Sequence, residues 1–220
     1  AYLLQNCHQR YFACVTDALR DFFMQAGSRL REASYEVNFV EQASYIQAAQ
    51  ELEMLRPRLE NELMRALRER IQTVTRGSET TAKNDAVNGE LALVDENEFE
   101  DWLALSNAGD RIETALAAQL NELELRYGRL LGKPVERDLN PFRPRVICGE
   151  LGAILRQTHF SAALRAVLYK AFGQALERHL NVLLKELDKL LQAVQPPPEQ
   201  KRVIPRRTPR EVPSGPDTPA

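Results

Sequence analysis

Residues 46–74, IQAAQELEMLRPRLENELMRALRERIQTV, decide the fold class. Ile46, Ala49, Leu52, Leu55, Leu59, Leu63, Leu67, Ile71 and Val74 recur at spacings of three and four, the period that gathers apolar side chains on one face of an α-helix. Pro57 falls inside this run. It lacks an amide donor and disfavours helical backbone at Arg56, so it predicts a bend or restart, not a domain boundary.

Toward the N-terminus the stripe continues through Leu30, Ala33, Val37 and Val40. Before that, Leu4, Cys7, Tyr11, Val15, Ala18, Phe22 and Ala26 form a similar one, with Gly27-Ser28 as the candidate break. Toward the C-terminus, Arg76-Gly77-Ser78 ends the helix, and the aperiodic text that follows predicts a flexible loop over about residues 77–94.

Residues 90–107, ELALVDENEFEDWLALSN, hold the only tryptophan. An acidic first turn from Asp95 complements the positive end of a short helix, with Phe99, Trp102, Leu103 and Leu105 as its apolar face. Ile112, Leu116, Leu120, Leu123, Tyr127 and Leu130 mark the next helix, closed by Gly132 and Pro134. GKPVERDLNPFRPR reads as an ordered loop because Asn140-Pro141 and Arg143-Pro144 restrict its backbone. A short helix over Val146 to Arg156 follows. A long one runs from about Ser161 to Val194, with Leu176, Leu180, Leu183, Leu187, Leu190 and Val194 as a heptad seam.

Eight of the twelve prolines lie beyond Gln195, which predicts an extended, disordered Pro/Arg-rich linker or tail over residues 195–220. Strand patterns are nearly absent. The fold class is therefore all-α: a helical bundle domain of long, partly kinked helices over residues 1–194.

With 44% hydrophobic residues and a net charge of −2, the chain can bury a core and has no overall basic field to draw nucleic acid or an anionic membrane. No apolar run is long enough to span a bilayer and no secretory segment is present, so a soluble, cytoplasmic protein is expected. Three cysteines do not make a disulfide framework, which fits a reducing compartment. The chain begins without Met inside a helical pattern, and we read it as a piece of a longer protein.

The sequence contains no Glu-x-x-His pair, phosphate loop, nucleophile elbow or Cys-x-x-Cys pair, so neither a catalytic site nor a cofactor is expected. Cys7, His8 and Cys14 cannot close a tetrahedral metal site alone and read better as core and helix-surface residues. His159 and His179 read as a loop or helix-start residue and a partly exposed helix residue. Two features remain as binding candidates. Asp95, Glu98 and Asp101 beside Phe99 and Trp102 could engage a protein partner with basic character, and Trp102 as a core residue is the plainer alternative. Arg202, Arg206, Arg207 and Arg210 in the tail, with Lys201, could contact an anion or nucleotide, against the plainer role of a linker.

The segments LALVDENEFEDWLALSNAGDRIE, LNELELRYGRLLGKPVERDLNPFRPRVICGEL and ALRAVLYKAFGQALERHLNVLLKELDKLL, with FVEQASYIQAAQELEMLRPRLENEL upstream, resemble the bacterial family known as domain of unknown function 1631. The similarity covers about Leu19 to Val194. It implies a large bacterial protein, often labelled thymidine phosphorylase, although no glycine-rich phosphate site here supports that label. Some related proteins are connected with PilZ-type cyclic di-GMP modules, whose R-x-x-x-R spacing is met by Arg202 with Arg206 and by Arg206 with Arg210, without the D-x-S-x-x-G that follows it there.

The expected function is a non-enzymatic protein-interaction or scaffold domain of a larger bacterial regulatory protein, with homo-oligomerisation through the long apolar stripes. The alternative is a module responsive to cyclic di-GMP, alone or beside a PilZ-type domain. An enzyme using a buried carboxylate pair ranks last, because most acids fall on polar helix faces.

Overall fold

The computed structural model describes residues 2–76 and 96–192. The expected loop over 77–94 and the expected tail over 195–220 lie outside the described residues, as do Asp95 and the tail candidates Arg202, Arg206, Arg207 and Arg210. Six α-helices and one 3-10 turn make up the described residues: α1 Tyr2–Ser34, α2 Phe39–Arg76, α3 Glu96–Ala115, α4 Ala117–Leu131, the turn Arg137–Leu139, α5 Pro144–Leu155 and α6 Ala162–Gln192. The fold is all-α.

The first break falls later than Gly27-Ser28. Helix α1 runs through both residues to Ser34, because Ala26 and Leu30 on either side are fully buried and their packing outweighs the roughly 1 kcal/mol helix penalty of a glycine. The turn comes at residues 35–38, where Asn38 caps α2. Its Oδ1 accepts the Glu41 amide at 3.0 Å, and its Nδ2 donates to the Glu41 carboxylate at 2.9 Å. Helix α2 then continues through Pro57 without restarting. Pro57 removes the donor for the Glu53 carbonyl, and both residues lie on the exposed side, where the carbonyl is open to solvent.

Helix α3 is longer than the short segment expected from Asp95, and it takes in Ile112. The break before α4 is a single residue, Leu116, with φ −112° and ψ 15°. Neither glycine nor proline marks it. Helix α4 ends as expected at Gly132, whose φ of +71° is the left-handed conformation that a side chain would strain.

Helix α6 is the axis of the bundle and touches α1, α3, α4 and α5. Leu176, Leu180, Leu183 and Leu187 of the heptad seam are buried along it. Helix α5 is a wedge held by α2, α3 and α6. Ile147, Cys148, Leu151 and Leu155 are all buried, as suits a short helix covered on several sides. The loop between α4 and α5 is anchored by charge. Buried Arg143 donates to Glu124 at 2.7 Å and to Asn121 at 3.0 Å, and the Asn140 side chain accepts the Phe142 amide at 3.1 Å. The Phe142 ring meets Tyr11 and Tyr127 edge-on, with centroids 5.0 and 4.9 Å away. Among the described residues, no helix is long and apolar enough to cross a membrane.

Candidate functional site

Helix α3 carries an inward and an outward set of residues, and Asp101 separates them. Asp101 is only 2% exposed. Its Oδ1 accepts from Arg165 Nε at 2.6 Å and from the Tyr169 hydroxyl at 3.1 Å, and its Oδ2 lies 3.5 Å from Arg156. One carboxylate therefore ties α3 to the start of α6 and the end of α5. A buried charge is tolerated only when so paired. Burial first, and then the adjacent Asp101 carboxylate, push the Tyr169 phenol well up, so it stays a hydrogen-bond donor.

Below Asp101, α3 packs against glycines of α5 and α6. A side chain at Gly152 of α5 would run into Leu105, with a Cβ placed 2.5 Å from its Cδ2. On the other flank Gly173 of α6 lies against Ala108, and Ile112 and Leu116 complete the buried face.

With that arc committed, Phe99 and Trp102 must project outward. They are 53% and 58% exposed, and their rings stack with centroids 6.0 Å apart at 29°. Leu103 is exposed beside them and Glu98 is exposed at the start of the helix. The aromatic pair is thus surface, and Leu105, expected on the same apolar face, is turned toward α5 instead. Of the acidic candidates, Glu98 lies beside the aromatic pair, Asp101 points inward to its arginines, and Asp95 is outside the described residues.

A separate cleft of about 270 Å³ opens between α3 and α6, lined by Ala104, Ala108, Arg111, Ala166, Lys170 and Gly173 among others. Arg111 is held at its end by Glu177 at 2.7 Å. Neither Phe99 nor Trp102 lines this cleft. Its floor is small apolar side chains and its rim is cationic, which suits a small apolar group or a backbone carbonyl.

The remaining candidates are built into the scaffold. Cys7 and Cys14 are buried, and burial pushes the Cys14 thiol up to about 12. His8 meets the Tyr127 hydroxyl at 2.9 Å, and burial lowers its pKa below 6.5. His179 meets Asp21 at 2.8 Å, and this hydrogen bond holds the Asp21 carboxyl below its usual range. His159 is exposed in the loop between α5 and α6. Among the described residues, no group of three or more His, Cys, Asp or Glu side chains could hold a metal ion.

Sequence reasoning missed the Asp101 cluster, Arg165 and Tyr169 above all. The signal was there, because Asp101 stands four residues before Leu105 and eleven before Ile112, on the arc that those residues bury. The side of α6 that would meet it could not be read from α3 alone.

A family model described as "Protein of unknown function (DUF1631) N-terminal domain" matches residues 1–194. No curated protein and no solved structure matches the chain.

Proposed function

The chain belongs to this family of unknown function, and we propose that it is a non-enzymatic interaction domain of a larger bacterial regulatory protein. The outward face of α3 is its contact surface. One observation carries the reading: a stacked, more than half-exposed Phe99–Trp102 pair on a helix whose rotation is locked by the buried Asp101 ion pairs. Rigid exposed aromatics offer large contact area at little cost in conformational entropy, and they dominate binding hot spots. Glu98 beside them suits a partner that brings a basic side chain, whose cation can sit over an aromatic ring.

The test is affinity capture from bacterial lysate with the full chain, comparing the native sequence with Trp102→Glu and Phe99→Glu. The expected result is one specific protein held by the native chain and lost by both variants, with helicity unchanged. The same protein held equally by all three would contradict the reading.

The nucleotide alternative rests on the spacing of Arg202, Arg206, Arg207 and Arg210 in the sequence. Calorimetric titration of cyclic di-GMP into the full chain separates the two readings. Saturable heat that disappears in an Arg206→Ala variant would favour the nucleotide reading, and no heat would leave the α3 surface as the working site.

A further inference from the structure

The first half of α2 is apolar on two faces. One is buried: Tyr45, Ala48, Ala49 and Leu52. The other points outward, where Phe39, Ala43, Ile46, Gln50 and Met54 fall within about 80° of one another at 3.6 residues per turn. Phe39 is 89% exposed, Met54 75% and Ile46 45%, and Val40 on the flank is 82% exposed. The stripe extends about 22 Å at 1.5 Å per residue, with exposed Glu53 flanking it beside Ile46. It borders a wide, shallow groove whose apolar wall is Ala43, Ile46, Met54 and Leu55 and whose polar rim is Gln47, Gln50, Glu51 and His159.

The pattern changes within the same helix. Beyond Pro57 the same outward arc carries Asn61, Arg65, Arg68 and Gln72, all exposed, and its one apolar residue, Met64, is partly buried against the core. The apolar half is therefore not explained by helix formation or by the core. Single exposed apolar residues are ordinary, but a continuous row of them marks an interaction site.

We propose that a second copy of this chain covers the stripe, with α2 packed antiparallel on α2 about a two-fold axis near Ile46 and Gln47. The area fits. Phe39, Val40, Ile46 and Met54, with the exposed Tyr35 in the preceding turn, offer on the order of 600 Å² of apolar surface per copy, most of the about 800 Å² per partner of a standard stable interface. The face is also complementary to itself, as a two-fold contact requires. About that axis Phe39 lies opposite Met54 of the partner copy, a favourable aromatic–thioether pairing, and small Ala43 lies opposite Gln50. No two like charges are set against each other along the stripe. This inference does not depend on the α3 surface, which sits on a different helix.

The test is the molar mass of the full chain by light scattering across a dilution series, with Ile46→Glu and Met54→Glu beside it. The expected result is twice the chain mass for the native sequence and a shift to the single-chain mass in both variants, with helicity retained because both positions are exposed. A second variant removes any dependence on those charges. Under mild oxidation, Ile46→Cys should form a disulfide-linked dimer and Leu125→Cys, exposed on α4, should not, since Cys7, Cys14 and Cys148 are all buried. A single-chain mass at every concentration would overturn the proposal, as would a dimer that survives Ile46→Glu. Trp102→Glu should leave the dimer mass unchanged, so failure here and failure of the α3 reading can be told apart.

Discussion

At Asp101 a single carboxylate serves two arginines and a tyrosine, so its removal should expose how much the α3 junction depends on it. Asp101→Ala leaves Arg165 without its 2.6 Å partner and the Tyr169 hydroxyl without its acceptor, and the expected cost is about 3–5 kcal/mol of unfolding free energy by chemical denaturation. Glu98→Ala, on the exposed side of the same helix, should stay within about 0.5 kcal/mol. An equal effect at both positions would mean that Asp101 is not anchoring α3. His8 gives a pH-dependent counterpart. Burial depresses its folded pKa below 6.5, so below that pH the unfolded chain takes up a proton that the folded chain resists. Stability conferred by neutral His8 is thus complete above 6.5 and is lost as pH falls through the folded pKa. A denaturation midpoint that falls on acidification, with a shallower fall in His8→Gln, is the expected result. The spacing of Asp101 to Leu105 and Ile112 set it on the inward arc, yet its acidic neighbours placed it among the partner-binding candidates. The outward turn of Trp102 was not legible, because an aromatic at the edge of an apolar arc is turned in or out by neighbours distant in sequence, here the α5 and α6 glycines.

Individual helices follow local rules until packing outweighs them. The apolar spacing in residues 46–74 gave α2 as a helix, with Ile46 turned outward instead of into the core, and Gly132 and Pro134 closed α4 as their chemistry requires. Gly27-Ser28 did not end α1, because a helix anchored by Ala26 and Leu30 carries a glycine through, and Leu116 broke the chain with no residue-type signal at all. Pro57 is the informative case. It lies inside a continuous, exposed stretch of α2, so Pro57→Ala should restore the hydrogen bond to Glu53 and raise stability by up to about 3 kcal/mol. A loss of stability in this variant would show instead that packing of α2 on α5 needs the backbone geometry that proline fixes.

For the molecule as a whole, composition and periodicity were enough to specify an all-α bundle, because apolar residues at helical spacing leave few other ways to bury them. They could not say which apolar faces remain open. That depends on how many helices surround each one: α6 is met by four others, whereas the first half of α2 buries only one of its two apolar faces. Among the described residues the helical body leaves two open apolar surfaces on different helices, and the proposed contact surface is the one around Trp102. The chain has a single tryptophan, so emission excited selectively from tryptophan, apart from that of the six tyrosines, reports on that surface. Acrylamide quenching should reach Trp102 readily in the free protein and lose access once the captured partner is added. Emission that is already shielded in the free chain, or equally accessible with and without the partner, would contradict the claim.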